Sequence, residues 1–174
     1  MSKILKIIKP DDWHLHIREG EIMKKVLPFT YNNFGRALIM PNLRNPIFTK
    51  KDAINYKKKI LSCVPPKLFF KPLLTLYLSD KLDFTDIKSA FDNKIIHAIK
   101  YYPKGATTNS NKGIDNLQKV LPIIEKMCMH NIPLCIHGEA NEKNIDIFDR
   151  EKKFIDNQLQ IITKEYPELT VTLE

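Results

Sequence analysis

Apolar and polar positions alternate on two length scales along the 174 residues. Short runs rich in Ile, Leu, Val and Phe fall at 4–8, 13–16, 37–40, 73–78, 96–101, 134–137 and 170–173. Longer amphipathic stretches separate them, at roughly 21–28, 50–62, 85–93, 114–130 and 150–166. In the fourth stretch Leu117, Val120, Leu121, Ile124 and Met127 recur at helical spacing, which predicts one buried face. Pro122 sits inside it and predicts a kink. Buried strands alternating with amphipathic helices predict βα units on a parallel sheet.

Right-handed crossovers build either an open doubly wound sheet or a barrel. The phosphate-cradling patterns GxGxxG and GxxxxGK[ST] are missing, and the chain has only five glycines. That favours the barrel. Six of the runs, from 13–16 onward, qualify as barrel strands, whereas a closed barrel needs eight and about 250 residues. The expected fold is α/β, of the (β/α)8 TIM-barrel type, cut short after about six strands. The expected organisation is one incomplete domain over 1–174.

Composition removes other classes. With 43% hydrophobic and 28% charged residues the sequence is neither disordered, collagen-like nor a coiled coil. No run approaches 18 apolar residues, so a membrane span is not expected. The first residues lack a signal-peptide pattern. Cys63, Cys128 and Cys135 have no CxxC spacing and read as reduced thiols, which points to the cytoplasm. The net charge of +8 rests on lysine: only Arg18, Arg36, Arg44 and Arg150 carry a guanidinium. Lysines spread over helix faces read as a solvated surface and not as a nucleic-acid site.

Candidate chemistry starts at Asp11-Asp12-Trp13-His14-Leu15-His16-Ile17-Arg18. On a strand, residues i and i+2 point the same way, so His14 and His16 aim two imidazoles at one point. They are either the start of a zinc site or an incidental pair on a half-exposed strand. His137 closes the run 134–137 and is either a hydrogen-bonded structural residue or a third ligand; in a parallel barrel it shares the C-terminal mouth with the first two. Lys100 closes the run 95–100. It is either a lysine snorkelling at the rim or an amine kept neutral for further reaction. His97 and His130 read as structural. The polar segment 101–113, with Thr107 and Thr108, is a surface loop or a lid over a substrate. Met40-Pro41-Asn42-Leu43 brings an amide to the same mouth.

The segments PDDWHLHIREG, GRALIMPNL, AIKYYPKGATTNS, PLCIHGEA and NIDIFDREKKFI, in this order and over essentially the whole chain, resemble the successive motifs of bacterial class II dihydroorotases of the amidohydrolase superfamily. The resemblance implies two Zn²⁺ ions at the barrel mouth, with His14 and His16 on one, His137 on the other, and Lys100 bridging them as a CO2-derived carbamate. It implies Arg18 and Asn42 on the substrate carboxylate, with Thr107 and Thr108 closing over it. The implied reaction interconverts N-carbamoyl-L-aspartate and dihydroorotate in pyrimidine synthesis. The implied partners are this small-molecule substrate and, as often in the family, a second copy in a homodimer, with no nucleic acid or membrane. No residue matches the family's general acid/base, an Asp expected beyond Glu174, so the chain alone is expected to be poorly stable and inactive or nearly so. Two other readings stand beside this one: a hydantoinase-like cyclic amidase, and an inactive remnant.

Overall fold

The computed structural model describes residues 5–142 and 144–174. Six strands form one sheet: β1 (Asp11–Leu15), β2 (Arg36–Ile39), β3 (Lys71–Tyr77), β4 (Ile96–Tyr101), β5 (Leu134–Ile136) and β6 (Val171–Leu173). Every neighbouring pair is parallel, and spatial order equals chain order. That order decides the fold type. A doubly wound sheet reverses direction at a switch point; a monotonic series of right-handed crossovers puts every helix on one face, as in a barrel wall. The sheet is thus a half-barrel of the (β/α)8 type.

The connecting helices are α1 (Gly20–Asn33), α2 (Lys50–Leu61), α3 (Phe84–Asp92), α4 (Leu121–Met129), α5 (Arg150–Phe154) and α6 (Gln160–Glu165). The start of α2 follows from sequence. The Thr49 side chain accepts from the Asp52 amide, and the Asp52 carboxylate accepts from the Thr49 amide, a reciprocal cap. Among the described residues no helix is long and apolar enough to cross a membrane.

Strand alternation divides the apolar residues in two. Ala37 and Ile39, Leu74 and Leu76, Ile99 and Tyr101, and Leu134 and Ile136 face the helices and join the main core with Leu27, Ile60, Ile124 and Phe154. Leu38, Met40, Leu73, Ala98 and Cys135 form a second, smaller cluster on the concave face. Register aligns one layer across that face: Tyr77 beside Lys100, Lys100 beside Cys135, Cys135 beside Thr172.

Four local expectations change. Of the apolar run 4–8, Ile4 lies outside the described residues, and 5–8 are exposed and non-strand. Their apolar side chains have no sheet neighbour to pair with among the described residues. Pro122 does not kink a helix: a 3-10 turn at Leu117–Lys119 precedes α4, and Pro122 sits in its first turn, where a missing N–H costs nothing. α1 runs through Pro28 and on to Asn33, longer than expected. The stretch 150–166 is helical but contains a π segment, Ile155–Leu159, between α5 and α6. From it Gln158 accepts a hydrogen bond from the Tyr101 hydroxyl, which is how that buried phenol is satisfied.

Candidate metal and substrate site

The functional candidates sit at the C-terminal ends of the strands. β1 carries an irregularity in its pairing between Asp12 and Leu15, and it ends at Leu15. His14 therefore lies on the strand and His16 just beyond it. The Asp12 carboxylate accepts from the His14 amide and fixes this bend. The two rings still converge, with Nε2 atoms 3.1 Å apart. Two zinc–imidazole bonds of about 2.0–2.1 Å at a tetrahedral angle would separate their nitrogens by about 3.3 Å. The pair is already spaced for one dication.

Lys100 is fully buried, so it is no snorkelling rim residue. Burial pushes its amine down to about 8. The amine contacts the Glu174 carboxylate, and the same Glu174 oxygen lies 3.2 Å from His14 Nδ1. Glu174 thus orients the His14 ring from behind while Nε2 faces His16. His137 follows β5, and its amide donates to the Tyr101 carbonyl. Its ring stands 6.1 Å from that of Tyr102, and the Lys100 amine lies 5.5 Å from the Tyr102 ring centre.

Burial favours the uncharged, ligating form of all three rings. Burial pushes His14 and His137 below the usual histidine range, and burial with the Arg18 charge pushes His16 down to about 4. His16 Nδ1 and His137 Nε2 are buried without a hydrogen-bond partner. His137 Nε2 thus leaves a ring nitrogen open to a metal, whereas the unpartnered His16 nitrogen is Nδ1 and not the Nε2 that faces His14. Yet among the described residues no three His, Cys, Asp or Glu side chains close on a single point. His14, His16, Lys100 and Glu174 are contiguous; His137 stands one aromatic ring away.

The other candidates form a second cluster. Arg18 adopts a left-handed backbone, φ 57°, which swings its guanidinium over the end of β2. Its Nη1 donates to the Asn42 main-chain oxygen at 3.1 Å. Asn42 is 1% exposed and donates its amide to the Thr108 carbonyl at 2.9 Å; its own Oδ1 has no partner. Thr107 turns the other way: its amide and carbonyl both bond the Ser110 hydroxyl. A cleft of about 660 Å³ opens here, its lining including Arg18, Glu19, Glu21, Arg44, Thr108 and Asn109.

His97 and His130 lie apart, as expected. His97 is on the other face of β4, and burial near Lys71 and Lys57 pushes it down to about 4. His130 caps the end of α4 against Phe84. Sequence reasoning missed Glu174, Tyr102 and Asn109. Only the register of β6 could have found Glu174, and a periodic pattern does not contain it.

The fold is that of a (β/α)8-type half-barrel with imidazoles and a buried amine at the C-terminal ends of its strands. No family model matches the chain. It is 48% identical over all 174 residues to a dihydroorotase of Jannaschia sp., and covers 50% of that protein. The crystal structure of dihydroorotase from Campylobacter jejuni superposes with a TM-score of 0.86 and 35% identity, over 95% of this chain and 47% of that one. A Saccharomyces cerevisiae dihydroorotase in complex with 5-fluoroorotic acid gives 0.84 and 32%, over 94% and 46%. By sequence and by fold the chain is a relative of the dihydroorotases and fits an N-terminal portion of them. It spans about half the length of the curated relatives it matches.

Proposed function

We propose that the protein to which this single domain belongs is a zinc-dependent cyclic amide hydrolase that interconverts N-carbamoyl-L-aspartate and dihydroorotate in pyrimidine synthesis. What supports this is that the C-terminal ends of the strands carry both His14, His16 and Lys100, with His137 after β5, and a hydrogen-bonded set of Arg18, Asn42 and Thr108.

His14 and His16 would hold one zinc and His137 another, and Lys100, as a carbamate, would add an anionic oxygen ligand to that site. The amine nitrogen of Lys100, neutral to the extent that burial lowers its pKa to about 8, bonds to the carbon of CO2 and releases a proton. Two zinc ions held there supply Lewis acidity to the substrate carbonyl and to the attacking water. Arg18 gives the substrate carboxylate a guanidinium fork. Asn42 and the Thr107–Thr108 segment complete that pocket. The substrate enters as a small anion, in the cytoplasm, with a homodimer as the assembly.

Two observations support this reading over a hydantoinase-like amidase. The Arg18 guanidinium, held on the Asn42 main-chain oxygen, suits a carboxylate, and the yeast relative was crystallised with 5-fluoroorotic acid, itself a carboxylate. Isothermal titration of the chain with dihydroorotate and with hydantoin tests it. Binding of dihydroorotate and not of hydantoin is expected; preference for hydantoin would overturn it.

A further inference from the structure

Asn109 lines the cleft and is bonded to both Asn42 and Tyr77. Its backbone is left-handed, φ 56°. Its side-chain amide donates to the Asn42 main-chain oxygen at 2.9 Å. That oxygen is the same one that receives the Arg18 guanidinium. Its own carbonyl accepts from the Tyr77 hydroxyl at 3.5 Å. Tyr77 is fully buried, and its ring packs 4.9 Å from that of Tyr102. The neighbouring Thr108 carbonyl takes the Asn42 amide.

A side chain of this kind does two separable jobs. The left-handed turn needs a residue that tolerates positive φ, which Asn and Asp both do. The bond to the Asn42 oxygen needs a donor, which Asn supplies and Asp lacks. An oxygen with two lone pairs accepts both Arg18 and Asn109, and the two donors fix its direction. With the Asn42 backbone so held, its amide points to Thr108 and its Oδ1 stays buried and unpartnered in the site.

We propose that Asn109 is a positioning residue for the carboxylate pocket. Through the Asn42 carbonyl it sets the Arg18 guanidinium and the Asn42 amide, and it ties loop 103–113 to both. The contact itself stands on geometry; the substrate it serves rests on the function proposed above.

The loop carries its own reporters, because Lys104 and Lys112 are exposed trypsin sites on either side of Asn109. Lys57, Lys58 and Lys59 on α2 report general unfolding. The comparison is N109D, near-isosteric and tolerant of positive φ, against N109A, with Y77F as a third variant. Trypsin without ligand should cut N109D and N109A at Lys104 and Lys112 roughly fivefold faster than the parent, the weight of about one hydrogen bond. Cleavage on α2 should not change, and Y77F should act in the same direction. N-carbamoyl-L-aspartate should slow loop cleavage in the parent, and N109D should bind it roughly five- to tenfold more weakly. Parental loop cleavage in N109D would overturn the proposal, as would a parallel rise at all sites. A loosened N109D loop in a chain that N-carbamoyl-L-aspartate does not protect would uphold the positioning contact and overturn the substrate reading.

Discussion

The Arg18 guanidinium ends on the main-chain oxygen of Asn42, 24 residues later in the chain, and the two residues come from the ends of β1 and β2. A planar donor fork held over a buried amide, in a cleft, is built for an anion. Arg18→Ala should weaken binding of N-carbamoyl-L-aspartate by about 1.5–3 kcal/mol, roughly 10- to 150-fold. Arg18→Lys should recover only part, since an ammonium lacks the fork. Calorimetric titration of the three proteins checks both statements. Equal affinity in all three would remove Arg18 from the pocket.

The base of loop 103–113 depends on Gly113. A Cβ at that position would press on the Tyr102 carbonyl and come within 2.9 Å of the Ser110 carbonyl, both backbone atoms that cannot step aside. Gly113→Ala should destabilise the chain by about 1–3 kcal/mol, the usual cost of overpacking. Urea unfolding followed by circular dichroism measures it. An unchanged midpoint would mean the loop base is open.

The core between sheet and helices should behave as a close-packed interior. Leu76 is fully buried on the helix-facing side of β3. Leu76→Ala should cost about 2–5 kcal/mol by the same urea measurement. A loss near zero would indicate that the half-barrel is loosely packed.

Acid should weaken the fold partly through His97. Its pKa lies at about 4 when folded, lowered first by burial, against an ordinary 6.5. The unfolded chain then binds the proton more readily. Stability from this residue is intact above about pH 6.5 and falls as pH drops toward 4. His97→Gln should make the decline in Tm between pH 7 and pH 4.5 shallower. A decline as steep as the parent's would assign the acid response to other groups.

Strand order and the barrel type were legible because buried strands and amphipathic helices leave opposite periodicities. The positions of His14, His16, Lys100 and His137 at the strand ends were legible for the same reason. Three features were not. The irregular pairing of β1 puts His16 beyond the strand, so the two imidazoles meet through a bend and not through simple alternation. Pro122 reads as a helix breaker until the preceding 3-10 turn shows that it begins one. Asn109, Tyr77 and Glu174 come from loop, strand and chain end, and only tertiary contact brings them to Asn42 or Lys100.

Cobalt binding bears most directly on the claim that this mouth holds a metal. Co²⁺ replaces Zn²⁺ in nitrogen and oxygen sites and reports them by its visible absorption. The purified chain titrated with Co²⁺ should develop that absorption, which Zn²⁺ should displace and which the variant carrying His14→Ala and His16→Ala should lose. Identical Co²⁺ spectra from the chain and the double variant would contradict the account.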